Sequence, residues 1–264
     1  VNLGFFLHDF CENRNKQGQR HQILRKAIAK AKRLNNWFTE EHIYFALAQW
    51  GNVLTEDKLS RWVSAYGPMG NNTVKTIGII MAGNLPLVGF HDFLSVLISG
   101  NKALCKLSSK DTELLPALAA VLCDIETSLK NNIAFTTGPL RGFDAIIATG
   151  SNNTSRYFEQ YFGKYPNIIR KNRTSVAILT GNETNEQLTA LGQDVFLYYG
   201  LGCRNVSKVF VPKGYGFDLF LEAIKPFDKL IDNHKYANNY DYNKAVFLMN
   251  GTPFIDNGFV VITE

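Results

Sequence analysis

The chain has 264 residues, 45% of them hydrophobic and 19% charged, with a formal net charge of +5. That balance excludes a disordered chain, which needs fewer apolar residues and more charge, and no apolar run reaches the roughly 18–20 residues of a membrane-spanning helix. The positive charge is local: residues up to Asn36 carry eight Lys and Arg against Asp9 and Glu12, which leaves the remainder near neutral and disfavours a general nucleic-acid binder.

The first ~70 residues read as helical. Ile23, Leu24, Ala27, Ile28, Ala31 and Leu34 recur at helical spacing with the bases opposite. A solvated basic face is the simpler reading, and a docking surface for an acidic partner or phosphate is the alternative. Thr39 before Glu40-Glu41 predicts an N-cap and acidic first turn. A third helix is expected over 55–66, stopped by Gly67-Pro68.

The pattern then changes. Residues 74–81 form an apolar, β-branched run, as in a strand buried on both faces. The turn Gly83-Asn84-Leu85-Pro86 leads to a helix ending at Gly100. A second strand is expected over 103–107, and a long helix follows Ser108-Ser109. Strands at 133–135 and 145–148, a helix over 151–162, a strand at 175–179 and a helix over 186–199 continue the alternation. Alternation at these lengths predicts an α/β fold with a doubly wound, mostly parallel sheet. Gly200-Leu201-Gly202-Cys203 breaks the last helix before a strand near 209–211. The expected organisation is a helical segment plus nucleotide-binding domain over 1–195 and the start of an α/β thiol domain over 196–264. A start without Met and a strand-like end at 259–262 suggest a fragment.

Cys11, Cys105, Cys123 and Cys203 show no CxxC spacing and no flanking His, so neither a zinc site nor a disulfide scaffold is expected, and a reducing cytoplasm is the default. Cys105 and Cys123 fall inside apolar patterns. Cys203 instead sits at a glycine-rich break, with Arg204 and Lys208 near enough in sequence to favour a thiolate; packing is the alternative. Ligands of open parallel sheets bind beyond strand carboxyl ends, where the 83–86 and 149–151 turns fall. No GxGxxG occurs.

Four motifs in order resemble the aldehyde dehydrogenase superfamily, and within it the long-chain acyl-CoA reductases. They are Asn84-Leu85-Pro86, Lys106-Leu107-Ser108, Thr149-Gly150-Ser151, and Gly200-Leu201-Gly202-Cys203 with Ser207 four residues on. The resemblance implies Cys203 as acyl-accepting nucleophile and Asn84 as oxyanion donor. It implies dinucleotide contacts from Gly83, Lys106, Ser109, Thr149, Gly150, Ser151 and Thr154, and no metal. The implied cofactor is NADPH, with NADH as the alternative. The implied substrate is a fatty acyl-CoA or an acyl-protein thioester, supplied in the second case by an acyl-donating partner; a homo-oligomer is compatible. Acid-forming relatives carry a water-activating Glu where this chain reads Arg170-Lys171-Asn172-Arg173-Thr174-Ser175, which favours acyl-thioester reduction. Glu183 and Glu186 are the first substitutes for such a base. The rival readings are a reductase of a small acyl-CoA or acyl phosphate, and a nucleotide-binding or assembly subunit with an inert cysteine.

Overall fold

The computed structural model describes residues 1–67 and 73–264; Pro68 of the expected helix stop lies outside the described residues. The chain forms two compact units, Val1–Asn172 and Arg173–Glu264. The expected boundary near 195 falls inside the second.

The first unit opens with helices α1 (Asn2–Glu12), α2 (Gln19–Leu34), α3 (Glu40–Val53) and α4 (Glu56–Ser64). α2 buries Leu24, Ala27, Ile28 and Ala31 and turns its bases outward. The Thr39 side chain accepts from the His42 N–H at 3.1 Å, which makes it the N-cap of α3. Five parallel strands follow, β1 (Thr76–Ile80), β2 (Lys102–Lys106), β3 (Ile133–Thr136), β4 (Ala145–Thr149) and β5 (Asn167–Arg170), in the spatial order β3-β2-β1-β4-β5. Helices α5 (Phe90–Ile98), α6 (Leu114–Ile125) and α7 (Asn152–Phe162) connect them. Right-handed crossovers place α5 and α6 on one face and α7 on the other.

The α5/α6 face is the deeper one, because the amino-terminal helices roof it. Trp50 meets Phe90 edge-on at 4.7 Å, and Leu3, Leu7, Leu24 and Leu47 share one core with Ile79, Phe90, Phe93 and Leu118. Under it the sheet presents Ile79, Ala103 and Cys105, all buried, which is why 74–81 reads as a continuous apolar run. The α7 face is thinner: Ser155 is the helix's one buried residue, and Phe143 packs on Phe162 and Tyr165.

The second unit is a βαβ element, β6 (Ser175–Ile178), α8 (Asn185–Phe196) and β7 (Val206–Phe210), with β6 and β7 parallel. It continues through α9 (Asp218–Ala223), α10 (His234–Met249) and an antiparallel pair, β8 (Phe254–Asp256) and β9 (Val261–Thr263). Its core is separate and centres on Leu188, Phe196, Phe220, Ile224 and Phe259. Thr184 and Gln187 close a reciprocal capping box at the start of α8.

Three sequence expectations change. The helix expected over 186–199 ends at Phe196, because Tyr198 and Tyr199 adopt left-handed backbone, at φ 54° and 59°. The helix after Ser108-Ser109 starts only at Leu114. Its N-cap is Glu113, and ahead of it Asp111 Oδ1 accepts from the N–H groups of Glu113 and Leu114. The edge strand β5 had not been expected.

Candidate active site

Every residue expected to touch a dinucleotide lies along the carboxyl ends of β1, β2 and β4. The strand order reverses between β1 and β4, since β1 leads outward to β2 while β4 returns on β1's other side. Such a switch point opens a crevice above the sheet. The 83–86 turn stands on one side of it and the 149–151 turn on the other.

These turns are built for close approach. A Cβ on Gly83 would lie 2.4 Å from the Ser108 Oγ, so the β1 and β2 turns touch only because residue 83 has no side chain. A Cβ on Gly150 would lie 2.9 Å from the Phe158 ring, so glycine there lets α7 rise directly from β4. Ser151 caps α7, accepting from the Thr154 N–H at 3.2 Å, with the two hydroxyls 2.9 Å apart. The first turn of α7 still offers backbone N–H groups and the positive dipole end to an anion. Lys106, half-buried at the end of β2, donates to the carbonyls of Thr137 and Gly138 at 3.2 and 2.9 Å. An ammonium has three donors, so one remains for a ligand oxygen. Ser109 is exposed in the next loop. A helix terminus for phosphate, a cation and hydroxyls for ribose, and a glycine-lined floor fit a dinucleotide.

Asn84 is half-buried in the turn after β1. Leu87, three residues on, has φ 55°, and the close approach of Gly83 to Ser108 sets this turn against the β2–α6 loop. Burial raises the Asp111 pKa against the opposing pull of the Leu114, Glu113 and Leu87 N–H groups.

Cys203 belongs to the second unit. It is the exposed cysteine; Cys105 is buried, and Cys11 and Cys123 are half-buried. Burial pushes the Cys105 thiol up to about 12 and that of Cys11 up to about 11, and raises Cys123, which makes all three poor nucleophiles. Cys203 and Arg204 form the tip of a turn from Gly202 to Asn205. Asn205 N–H donates to the Gly202 carbonyl at 3.0 Å, and Gly202 N–H donates to Asn205 Oδ1 at 2.8 Å. Ser175 Oγ, at the start of β6, donates to the Cys203 carbonyl at 3.3 Å. Among the described residues nothing accepts the Cys203 N–H.

The backbone on either side is irregular. Tyr198, Tyr199 and Gly200 are three consecutive left-handed residues, and each tyrosine there costs on the order of 1 kcal/mol or more. After the turn, Ser175 pairs with Val206 but Val176 with Lys208, so Ser207 is an extra residue in β7. That bulge lets Val206 and Val209 both pack on the core although they stand three apart. The Lys208 ammonium lies 5.0 Å from the Phe210 ring centroid, towards the carboxyl end of β7, rather than against the Cys203 turn as its sequence position suggested.

The carboxylates nominated as substitute bases stand elsewhere. Glu183 accepts from the N–H and hydroxyl of Thr180 and from Gly181 N–H, just past β6. The Thr180 N–H leads in holding its carboxyl below the usual range. Glu186 is in the first turn of α8, and Cys203 lies beyond the last. Twelve helical residues separate those ends by about 18 Å.

A family model described as acyl-CoA reductase (LuxC) matches residues 8–219. The chain belongs to the LuxC acyl-CoA reductase family. The match spans both units and includes every motif residue named above. No match was found among curated proteins. Solved structures give the fold. An NAD-dependent benzaldehyde dehydrogenase from Corynebacterium glutamicum aligns at a TM-score of 0.64 and 15% identity, over 98% of this chain and 64% of its own. An NADP-dependent glyceraldehyde-3-phosphate dehydrogenase from Bacillus halodurans, complexed with NADP, aligns at 0.65 and 14%, over 97% and 60%. A propionaldehyde dehydrogenase from Rhodopseudomonas palustris with bound propionyl-CoA aligns at 0.61 and 13%, over 85% and 52%. The expected aldehyde dehydrogenase-like α/β fold is thereby borne out, and the chain spans a little over half of the length of these structures. Among the described residues no helix is long and apolar enough to cross a membrane.

For this LuxC family member, sequence reasoning missed the groups that hold the turns: Asp111 at the start of α6, and Ser175 and Asn205 around Cys203. The sole advance signal was the Gly-x-Cys break itself, which demands that something pin the turn.

Proposed function

We propose that this chain carries the nucleotide site and the nucleophile of a reductase that converts a fatty acyl thioester to the aldehyde with NAD(P)H. The single observation that carries the reading is Cys203: the exposed thiol of the four, at the tip of a pinned turn, inside a family match that spans it. Its thiolate attacks the thioester carbonyl and forms a new C–S bond. Asn84 and the open Cys203 N–H are the groups assigned to the resulting oxyanion. Collapse breaks the C–S bond to coenzyme A, which leaves as a thiolate and takes a proton from solvent. Gly83, Lys106, Ser109, Thr149, Gly150, Ser151 and Thr154 would hold the cofactor, which supplies a hydride to the carbonyl carbon of the Cys203 thioester when bound. The second collapse expels the Cys203 thiolate and releases the aldehyde. NADPH is the preferred cofactor, a coenzyme A or acyl-protein thioester the donor, and the reducing cytoplasm the setting that keeps the thiols free.

Acylation without reductant tests this. Intact protein incubated with a fatty acyl-CoA is expected to gain one acyl group, located on Cys203 by peptide mass spectrometry. Cys203→Ala loses label and reductase activity together and still binds the dinucleotide. Label on Cys11, Cys105 or Cys123, or turnover without label on Cys203, overturns the reading.

A further inference from the structure

We propose that Asn205 is a positioning residue for the Cys203 thiol, one that sets its direction of attack without touching substrate; the inference rests on the reading of Cys203 as acyl acceptor. Asn205 binds Gly202 on both sides, its backbone N–H donating to the Gly202 carbonyl and its Oδ1 accepting from the Gly202 N–H. Its remaining side-chain group, Nδ2, donates to the Asp194 carbonyl at 2.9 Å. That carbonyl is in the last turn of α8, where acceptors have no partner within the helix. One side chain therefore closes the turn at its base and fastens it to the end of the helix before it.

The neighbourhood explains why a clamp is needed. The chain enters through three left-handed residues and meets the Ser207 bulge two residues after the turn, so neither flank is a continuous helix or strand. Ser175 fixes only the Cys203 carbonyl. Without the Asn205 side chain the Gly202 N–H loses its acceptor and the turn loses its tie to α8, which loosens the backbone carrying the Cys203 N–H and the Cα–Cβ bond that aims the sulfur. Asparagine suits the place because it accepts on one side-chain atom and donates from the other. Aspartate accepts only, and alanine does neither.

The test compares wild type with Asn205→Ala and Asn205→Asp in single-turnover acylation by a fatty acyl-CoA. Each rate is divided by the thiolate fraction from the pH profile of iodoacetamide alkylation, which removes the effect of aspartate's charge on the thiol. Alkylation by a small electrophile makes little demand on orientation. Asn205→Ala is expected to slow acylation about 10²-fold per thiolate, the loss typical of a misplaced reacting group, while half-saturating acyl-CoA and per-thiolate alkylation shift less than about threefold. Asn205→Asp, which keeps the acceptor for Gly202 N–H, recovers about a tenth or more of the wild-type rate. Unchanged acylation in Asn205→Ala, or acylation and per-thiolate alkylation falling in parallel, overturns the positioning role. Failure of the wild type itself to label at Cys203 overturns the underlying reading instead.

Discussion

Asn84 stands in the turn after β1 and Lys106 ends β2, and their surroundings suit them to different proposed roles. Asn84 stands in a turn packed so closely on the β2–α6 loop that residue 83 must be glycine, a mount suited to a donor that must be in place before charge develops. Asn84→Ala is expected to cut turnover ~10²–10³-fold, the usual size for one oxyanion donor, with cofactor affinity unchanged by calorimetry. Retained turnover in the folded variant would remove Asn84 from the chemistry. Lys106 is different, because two of its donors already hold the Thr137 and Gly138 carbonyls. Lys106→Ala should weaken dinucleotide binding by about 1.5–3 kcal/mol, the range for a hydrogen bond to a charged group, and should loosen the turn after β3. An unchanged dissociation constant would confine Lys106 to that structural bond. The motif residues were legible because Asn-x-Pro and Thr-Gly-Ser are turn chemistry that a sequence displays. Asp111 was not, since Ser108-Ser109 just before it offered a more obvious helix start and its own bonds reach only to Glu113 and Leu114.

Long apolar elements were equally legible. β1, β2, β4 and α2 show their faces in the sequence because burial on a sheet or helix stripe imposes a period. β5 did not, with only Asn167–Arg170 and one neighbour, β4. What fixes β5 is tertiary. Arg170 at its end forms an ion pair with Asp92 of α5, whose side chain is 12% exposed. Burial pushes the Asp92 carboxyl up, but hydrogen bonds from His91 and Arg170 and the Arg170 charge outweigh it, so its pKa is lowered. Arg170, in the stretch where the resemblance led one to expect a water-activating glutamate, thus has a structural occupation. Arg170→Ala should destabilise the protein by about 1–3 kcal/mol, between exposed and fully buried pairs. A carboxyl lowered on folding contributes stability that is complete above its unfolded pKa of about 3.9 and lost as pH falls through the folded value. The wild-type advantage over Arg170→Ala in urea midpoint should therefore be constant at neutral pH and shrink below about pH 4. An advantage independent of pH would mean that Arg170 acts by packing alone.

Across the whole chain, the proposed function makes the fate of the acyl group depend on what a Cys203 thioester would meet. Residues 170–175 run from the end of β5 into β6 without a carboxylate. Arg170 is engaged with Asp92, Lys171 with Glu159 at 2.8 Å, and Ser175 with the Cys203 carbonyl. Glu183 is tied to Thr180 and Gly181, and Glu186 is a helix length from Cys203. Neither is placed to take a proton from water beside the thioester. General-base assistance is worth ~10²–10⁴-fold, and without it hydrolysis should lag behind transfer to a thiol by a factor of that order. Thiolates need no such base, since they attack already ionised. Protein acylated with a labelled fatty acyl group, freed of excess donor and split between buffer and a thiol acceptor, should release little free acid and pass most label to the thiol. Glu183→Gln and Glu186→Gln should leave this partition unchanged. Rapid release of fatty acid at neutral pH would place a base near Cys203. If either glutamine variant then slowed that release, that glutamate would have to move well away from its present position to reach the thioester.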